Sequence, residues 1–186
     1  ALYCSRADRA NEARTAIRRA LVLDPLNART HRAAGSIEYA ARRYRNALAP
    51  LRQALKLNPH MTFAHALIGY CLLQLGQLAQ AREEFAAEPQ ATFRLSGLAI
   101  VDRRLGNPEA AEKSLAQLVA EVGDSALYQQ AQVHAQWGDQ SAALTALERA
   151  RVVGDSGLTY LSTDPLLDPV RRQPRFLALL NDLGLR

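Results

Sequence analysis

The sequence predicts an all-α protein built from stacked pairs of antiparallel helices. Three observations lead there. Ala and Leu dominate a chain that is 48% hydrophobic but only 6% aromatic, a helix-forming composition poor in the residues strands prefer. Glycine and proline recur as punctuation between apolar stretches. Above all, the chain repeats itself with a 34-residue period: "AIRRALVLDP" ending at Pro25 aligns without a gap on "PLRQALKLNP" ending at Pro59.

The elements follow in order. Ala13, Ile17 and Ala20 form an i, i+4, i+7 stripe, the buried face of an amphipathic helix, and recur one period later as Ala47, Leu51 and Ala54. Pro25 and Pro59 end these helices, since proline gives no N–H and restricts the residue before it. Ahead of the second stripe, "THRAAGSIEYA" (30–40) is a partner helix, matched one period on by "AHALIGYCLLQ" (64–74). Gly35 and Gly69 occupy the same mid-helix position, where glycine costs about 1 kcal/mol of helix propensity; close approach of the paired helix is the compensation expected. Gly76 supplies a helix stop, and the helix ending at "AAEPQ" is shortened. "LGNPEAAEKSL" (105–115) and "WGDQSAALTAL" (137–147) both read as stop, cap and helix, with Asn107 and Asp139 as caps and Pro108 at a first helical position. Gly123-Asp124 marks another stop and cap. About five helix pairs are expected over 1–153, the first truncated and the fourth and fifth degenerate, with a capping segment over 154–186.

These residues resemble the tetratricopeptide repeat. The third copy carries Gly69, Leu72, Gly76, Ala81 and Phe85, with His65 in the usual Trp position; the second carries Gly35, Tyr44, Ala47, Leu51, Ala54 and Pro59. Ala1 falls at the mid-helix small-residue position of the first copy, so that copy is expected to lack its leading residues. The resemblance implies a right-handed superhelix whose concave face is lined by the first helix of each pair. It also places ligand-facing positions at Arg29, Arg32, Ser36 and Tyr39, at Phe63, Tyr70 and Leu73, at Phe93, Arg103 and Arg104, and at Tyr128, with packing between repeats the alternative for Phe63 and Tyr70. Relatives that clamp a chaperone's terminal carboxylate use asparagines where this chain has Ser36 and Leu67, which argues against that sub-type even though Arg32 fits it.

The tail "STDPLLDPVRRQPRF" (162–176) is similar to the end of many bacterial tetratricopeptide arrays. Asp164 and Asp168, four apart with arginines behind them, suggest a paired-carboxylate site, but each precedes a proline and reads better as an N-cap opening a short turn. Pro174 then opens a last helix whose expected buried stripe is Phe176, Leu177, Leu179, Leu180 and Leu183, covering the end of the array.

No run of apolar residues is long enough to span a membrane, and no signal peptide is evident, although one upstream would be compatible. Cys4 and Cys71 form neither a CxxC nor a Cys/His cluster, leaving the compartment open, with the cytoplasm favoured and the periplasm compatible with an upstream leader. His31, His60 and His65 lack a carboxylate or cysteine at ligand spacing, so no metal is expected, and no nucleophile or phosphate loop is recognisable; neither an enzyme nor a cofactor is expected. Net charge is +5, and residues 1–60 hold 12 Lys+Arg against 4 Asp+Glu. That basic third can attract nucleic acid or an acidic partner, but only Tyr39 and Tyr44 are interleaved for base stacking, which disfavours nucleic acid. The expectation is a non-enzymatic scaffold binding a protein or peptide along first-helix faces. Its rival is a regulatory array of a larger bacterial signalling protein, with a cyclase, kinase or transcription regulator elsewhere.

Overall fold

The computed structural model describes residues 10–185. Ten α-helices lie among them, and the chain divides at Gln90 and Ala91 into two compact units. The truncated first helix expected around Ala1, and Cys4, lie outside the described residues.

Unit 1 contains α1 (Ala10–Leu23), α2 (Ala28–Ala40), α3 (Tyr44–Leu57), α4 (Ala64–Gln74) and α5 (Leu78–Ala87). Successive helices pack on one another, and α2 also touches α4. The helix α1 stops two residues before Pro25, and Asn27 caps α2 by accepting from the Thr30 amide at 3.1 Å. Pro50, with no N–H to give, is nevertheless accommodated inside α3. The repeat glycines do what their position predicts. A Cβ on Gly35 would fall 2.3 Å from Leu51 Cγ, and one on Gly69 would fall 2.6 Å from the Phe85 ring, so only glycine lets the paired helices meet at this distance. Ala13, Ala47, Leu51, Ala54, Ala81 and Phe85 complete the buried stripes.

The N-terminus of α4 has an unusual cap. Phe63 occupies the cap position in the left-handed region (φ 66°), and its side chain caps nothing. Glu88, just beyond α5, reaches back instead. Its Oε1 accepts from the Phe63 amide at 2.9 Å and its Oε2 from the Ala66 amide at 3.1 Å. The carboxylate is almost wholly buried, and the amides and the positive end of the helix dipole stabilise it there.

Unit 2 contains α6 (Ala91–Arg104), α7 (Pro108–Val122), α8 (Leu127–Trp137), α9 (Gln140–Val153) and α10 (Pro174–Asp182), with 3₁₀ turns at Gly123–Ala126, Ser156–Tyr160 and Pro165–Val170. Asp139 caps α9 through the Ala142 amide at 2.9 Å. Two expected caps differ. Asn107 holds the cap position of α7 without a side-chain bond, and Asp124 lies within a 3₁₀ turn, where it pairs with Arg149 at 2.7 Å.

The tail packs on α8 and α9. Leu158, Leu161, Leu167, Val170, Phe176, Leu179 and Leu180 join Leu127, Tyr128, Leu144 and Leu147 in one core. A Cβ on Gly157 would stand 2.5 Å from Tyr128 Cγ, so the tail passes hard against that ring. Leu177, placed in the buried stripe by its sequence, is exposed; α10 turns only Phe176, Leu179 and Leu180 fully inward.

Candidate functional site

The two tail aspartates part company in the structure. Asp164 is buried and caps its turn through the Leu166 amide at 2.9 Å; it also accepts from Tyr128 Oη at 2.8 Å and from Gln132 Nε2 at 2.6 Å. Burial pushes its carboxyl above the ordinary value, against the lowering effect of those donors and of Arg171. Asp168 is exposed and opens no second turn, because Pro165–Val170 is one continuous 3₁₀ segment. Its carboxylate pairs with Arg171 at 2.9 Å. The same arginine donates to the carbonyls of Ser162 at 2.6 Å and Asp164 at 2.8 Å and lies over the Phe176 ring, while Arg175 grips Glu148 with two bonds. These arginines fasten the tail to itself and to α9, and Asp164 fastens it to α8.

The histidines aligned by the repeat serve separate helices. A ring nitrogen of His31 meets the Pro25 carbonyl at 2.8 Å, and one of His65 meets the Glu84 carboxylate at 2.7 Å. Cys71 is buried, and that burial pushes its thiol up to about 12, which keeps it protonated and unreactive at neutral pH.

In unit 1, Arg29 is exposed, while Arg32, Ser36 and Phe63 are half-buried. Ser36 turns its hydroxyl back onto the Arg32 carbonyl at 3.1 Å. Tyr39, Tyr70 and Leu73 are core side chains, so they cannot present themselves to a partner without repacking. The physical reason is a run of rings: Tyr39 lies 5.8 Å from Tyr44 and 6.1 Å from Tyr70, and Tyr70 lies 6.4 Å from Phe63 and 5.1 Å from Phe85, centroid to centroid. Phe63, at the N-terminus of α4, and Tyr44, at the start of α3, are the half-buried members of this run.

In unit 2, Phe93 is half-buried in the first turn of α6, and Arg103 and Arg104 are exposed in its last. Arg103 lies over the Trp137 ring at 5.2 Å and pairs loosely with Glu112. Arg104 donates to the side-chain carbonyl of Gln136, whose amide in turn donates to the Leu166 carbonyl at 2.6 Å. Tyr128 is buried, its hydroxyl spent on Asp164. Trp137 was singled out by its sequence only as part of a turn. Its indole N–H donates to the Ala99 carbonyl at 3.0 Å, joining α8 to α6 and giving Arg103 a platform. Its position at a helix end before glycine was the available signal for a special role.

Helix pairs of this length, small residues at the crossings and turn glycines after α4, α6 and α8 (Gly76, Gly106 and Gly138) define a helical-repeat array. Two tetratricopeptide-repeat family models match the chain, one over residues 38–94 and the other over residues 5–62 and 97–157. The second alone spans more than half of it, and the protein belongs to the tetratricopeptide repeat family. Comparison with curated proteins gives no match. Repeats of this family are generally protein-interaction modules and usually non-catalytic. No helix among the described residues is long and apolar enough to cross a membrane.

Proposed function

We propose that this chain is a non-catalytic scaffold that binds a peptide or a protein partner along its first-helix faces. In unit 1 the contact residues are Arg29, Arg32, Ser36 and Phe63; in unit 2 they are Phe93, Arg103 and Arg104. The observation carrying this reading is the company the arginines keep. Arg103 is stacked on a rigid indole and Arg104 is held by Gln136, so their side chains are ordered before a partner arrives, which lowers the entropy lost on binding. The buried tyrosines Tyr39, Tyr70 and Tyr128 act beneath these faces as supports.

The test is affinity capture from the source cells with the wild-type chain, with Arg32→Ala/Phe63→Ala and with Arg103→Ala/Arg104→Ala, quantified by mass spectrometry. A partner enriched by wild type and lost from either double variant supports the reading. A partner retained equally by both moves binding off these faces.

The Asp-Pro-x-x-Asp-Pro tail supports a second reading, a regulatory array within a larger signalling protein. The intact mass of the native polypeptide separates the two: a mass far above 20.4 kDa favours the regulatory array.

A further inference from the structure

The most exposed large apolar side chains of unit 1 are gathered in one place. Val22 and Leu23, in the last turn of α1, are 82% and 78% exposed, and Leu26 in the turn that follows is 73% exposed. Arginines interleave with them. Arg18 stands one helical turn before Val22 and Arg19 one turn before Leu23, which puts each pair on the same strip of helix; Arg29 follows Leu26 in the first turn of α2. All three arginines are exposed and make no ion pair among the described residues. From residue 14 to residue 32 the chain carries five arginines and a single acid, Asp24, whose carboxylate is occupied by the Asn27 amide at 3.0 Å.

The fold does not require this composition. One repeat later the same helix end holds Lys56, Leu57 and His60, with Lys56 and His60 polar and Leu57 half-buried, and the chain still leaves the helix through the same proline. The next repeat thus does without three uncovered apolar side chains at this helix end, although α9 in unit 2 also ends on two exposed valines, Val152 and Val153. Exposed apolar clusters rimmed by polar groups mark interaction sites. The arginines decide the partner's charge, and the aliphatic side chains decide its class. A nucleic-acid strand would use the guanidinium groups but would find no Phe, Tyr or Trp between residues 14 and 32 to stack on, and would leave Val22, Leu23 and Leu26 uncovered. An amphipathic helix with leucine-type side chains on one face and carboxylates along its margins satisfies both components.

We propose that the end of α1, with the turn to α2, is a second docking surface, adjoining the first-helix face of unit 1 at Arg29 and built for an acidic amphipathic segment of a partner protein. Val22, Leu23 and Leu26 provide its apolar floor; Arg18, Arg19 and Arg29 provide its charged rim.

The test is fluorescence anisotropy of the full chain with a labelled synthetic peptide carrying leucines on one helical face and glutamates beside them. Three comparators are needed: a scrambled peptide of the same composition, a single-stranded oligonucleotide, and sedimentation of the chain alone. The expected result is saturable binding of the amphipathic peptide that weakens at least about tenfold in Val22→Ser/Leu23→Ser/Leu26→Ser and in Arg18→Glu/Arg19→Glu, and that weakens as salt rises. All five side chains are exposed, so melting should be unchanged; Leu26→Ser alone, which lies outside the helices, is the second variant should the triple one fail to fold. Equal binding of the scrambled peptide overturns the proposal, as does indifference to the apolar substitutions. Tighter binding of the oligonucleotide, lost only with the arginines, reassigns the surface to nucleic acid. A concentration-dependent dimer abolished by the triple variant reassigns it to a second copy of the chain.

Discussion

Arg42 holds the turn after α2 in the same left-handed conformation, φ 59°, that Gly76 holds after α4, φ 76°. The two positions are one 34-residue period apart. A side chain in that conformation crowds its own carbonyl, a cost of roughly 1–2 kcal/mol that glycine does not bear. Arg42→Gly should therefore stabilise unit 1 by about 0.5–1 kcal/mol, after allowing for the greater freedom glycine gives the unfolded chain. Urea unfolding followed by circular dichroism is the measurement. A loss of stability would mean that the arginine's own contacts outweigh the strain.

Gly69 has no room for a methyl group, because the Phe85 ring stands where its Cβ would be. Gly69→Ala gains helix propensity of about 1 kcal/mol and overpacks the crossing by about 1–3 kcal/mol. The central net expectation is a loss of about 1 kcal/mol, and a larger one for Gly69→Leu. Gly69→Ala combined with Phe85→Leu should recover part of that loss. A Gly69→Ala variant as stable as wild type would show that the ring yields freely.

Glu88 is the cap of a helix to which it does not belong. Glu88→Ala strands the amides of Phe63 and Ala66 inside the protein and should cost about 2–3 kcal/mol. Hydrogen exchange localises the effect. The Ala66 amide should lose protection well before amides in the middle of α3, and uniform loss across unit 1 would count against a capping role.

Asp164 gives unit 2 a pH dependence of definite sign. Its folded-state carboxyl lies above the ordinary value, chiefly through burial. The folded state therefore holds the proton over an interval where the unfolded chain has released it, and this contribution to stability is present at low pH and lost as pH rises through the raised value. Asp164→Asn should flatten that fall in thermal melts taken across the acid range. Tyr128→Phe, which removes a donor to the carboxylate, should extend it to higher pH. An Asn variant with the wild-type slope would trace the dependence to another group.

The helix pairs were legible because their signals are local and repeated. Gly35 with Leu51 and Gly69 with Phe85 recur at one period, so each copy vouches for the other. A capped turn at Asp164 was legible from proline and aspartate chemistry, but not the division of labour between Asp164 and Asp168, since a carboxylate's burial is decided by α8, more than thirty residues away. Glu88 was illegible for the same reason: its partners lie 22 and 25 positions upstream, and nothing near "AAEPQ" points to them. The resemblance leads one to expect Tyr39, Tyr70 and Tyr128 on a ligand-facing side, but large neighbouring rings or a buried acceptor hold them inward here.

Trp137 is the chain's single tryptophan, and its indole bridges two helices of unit 2 with an arginine above the ring. The protein thus carries a resident tryptophan reporter for one of its halves and none for the other. Indole emission follows the parting of α8 from α6, whereas the far-ultraviolet helix signal sums over both units. Overlaying the two curves from one titration tells whether the halves melt together or in turn, with no label attached and no residue changed.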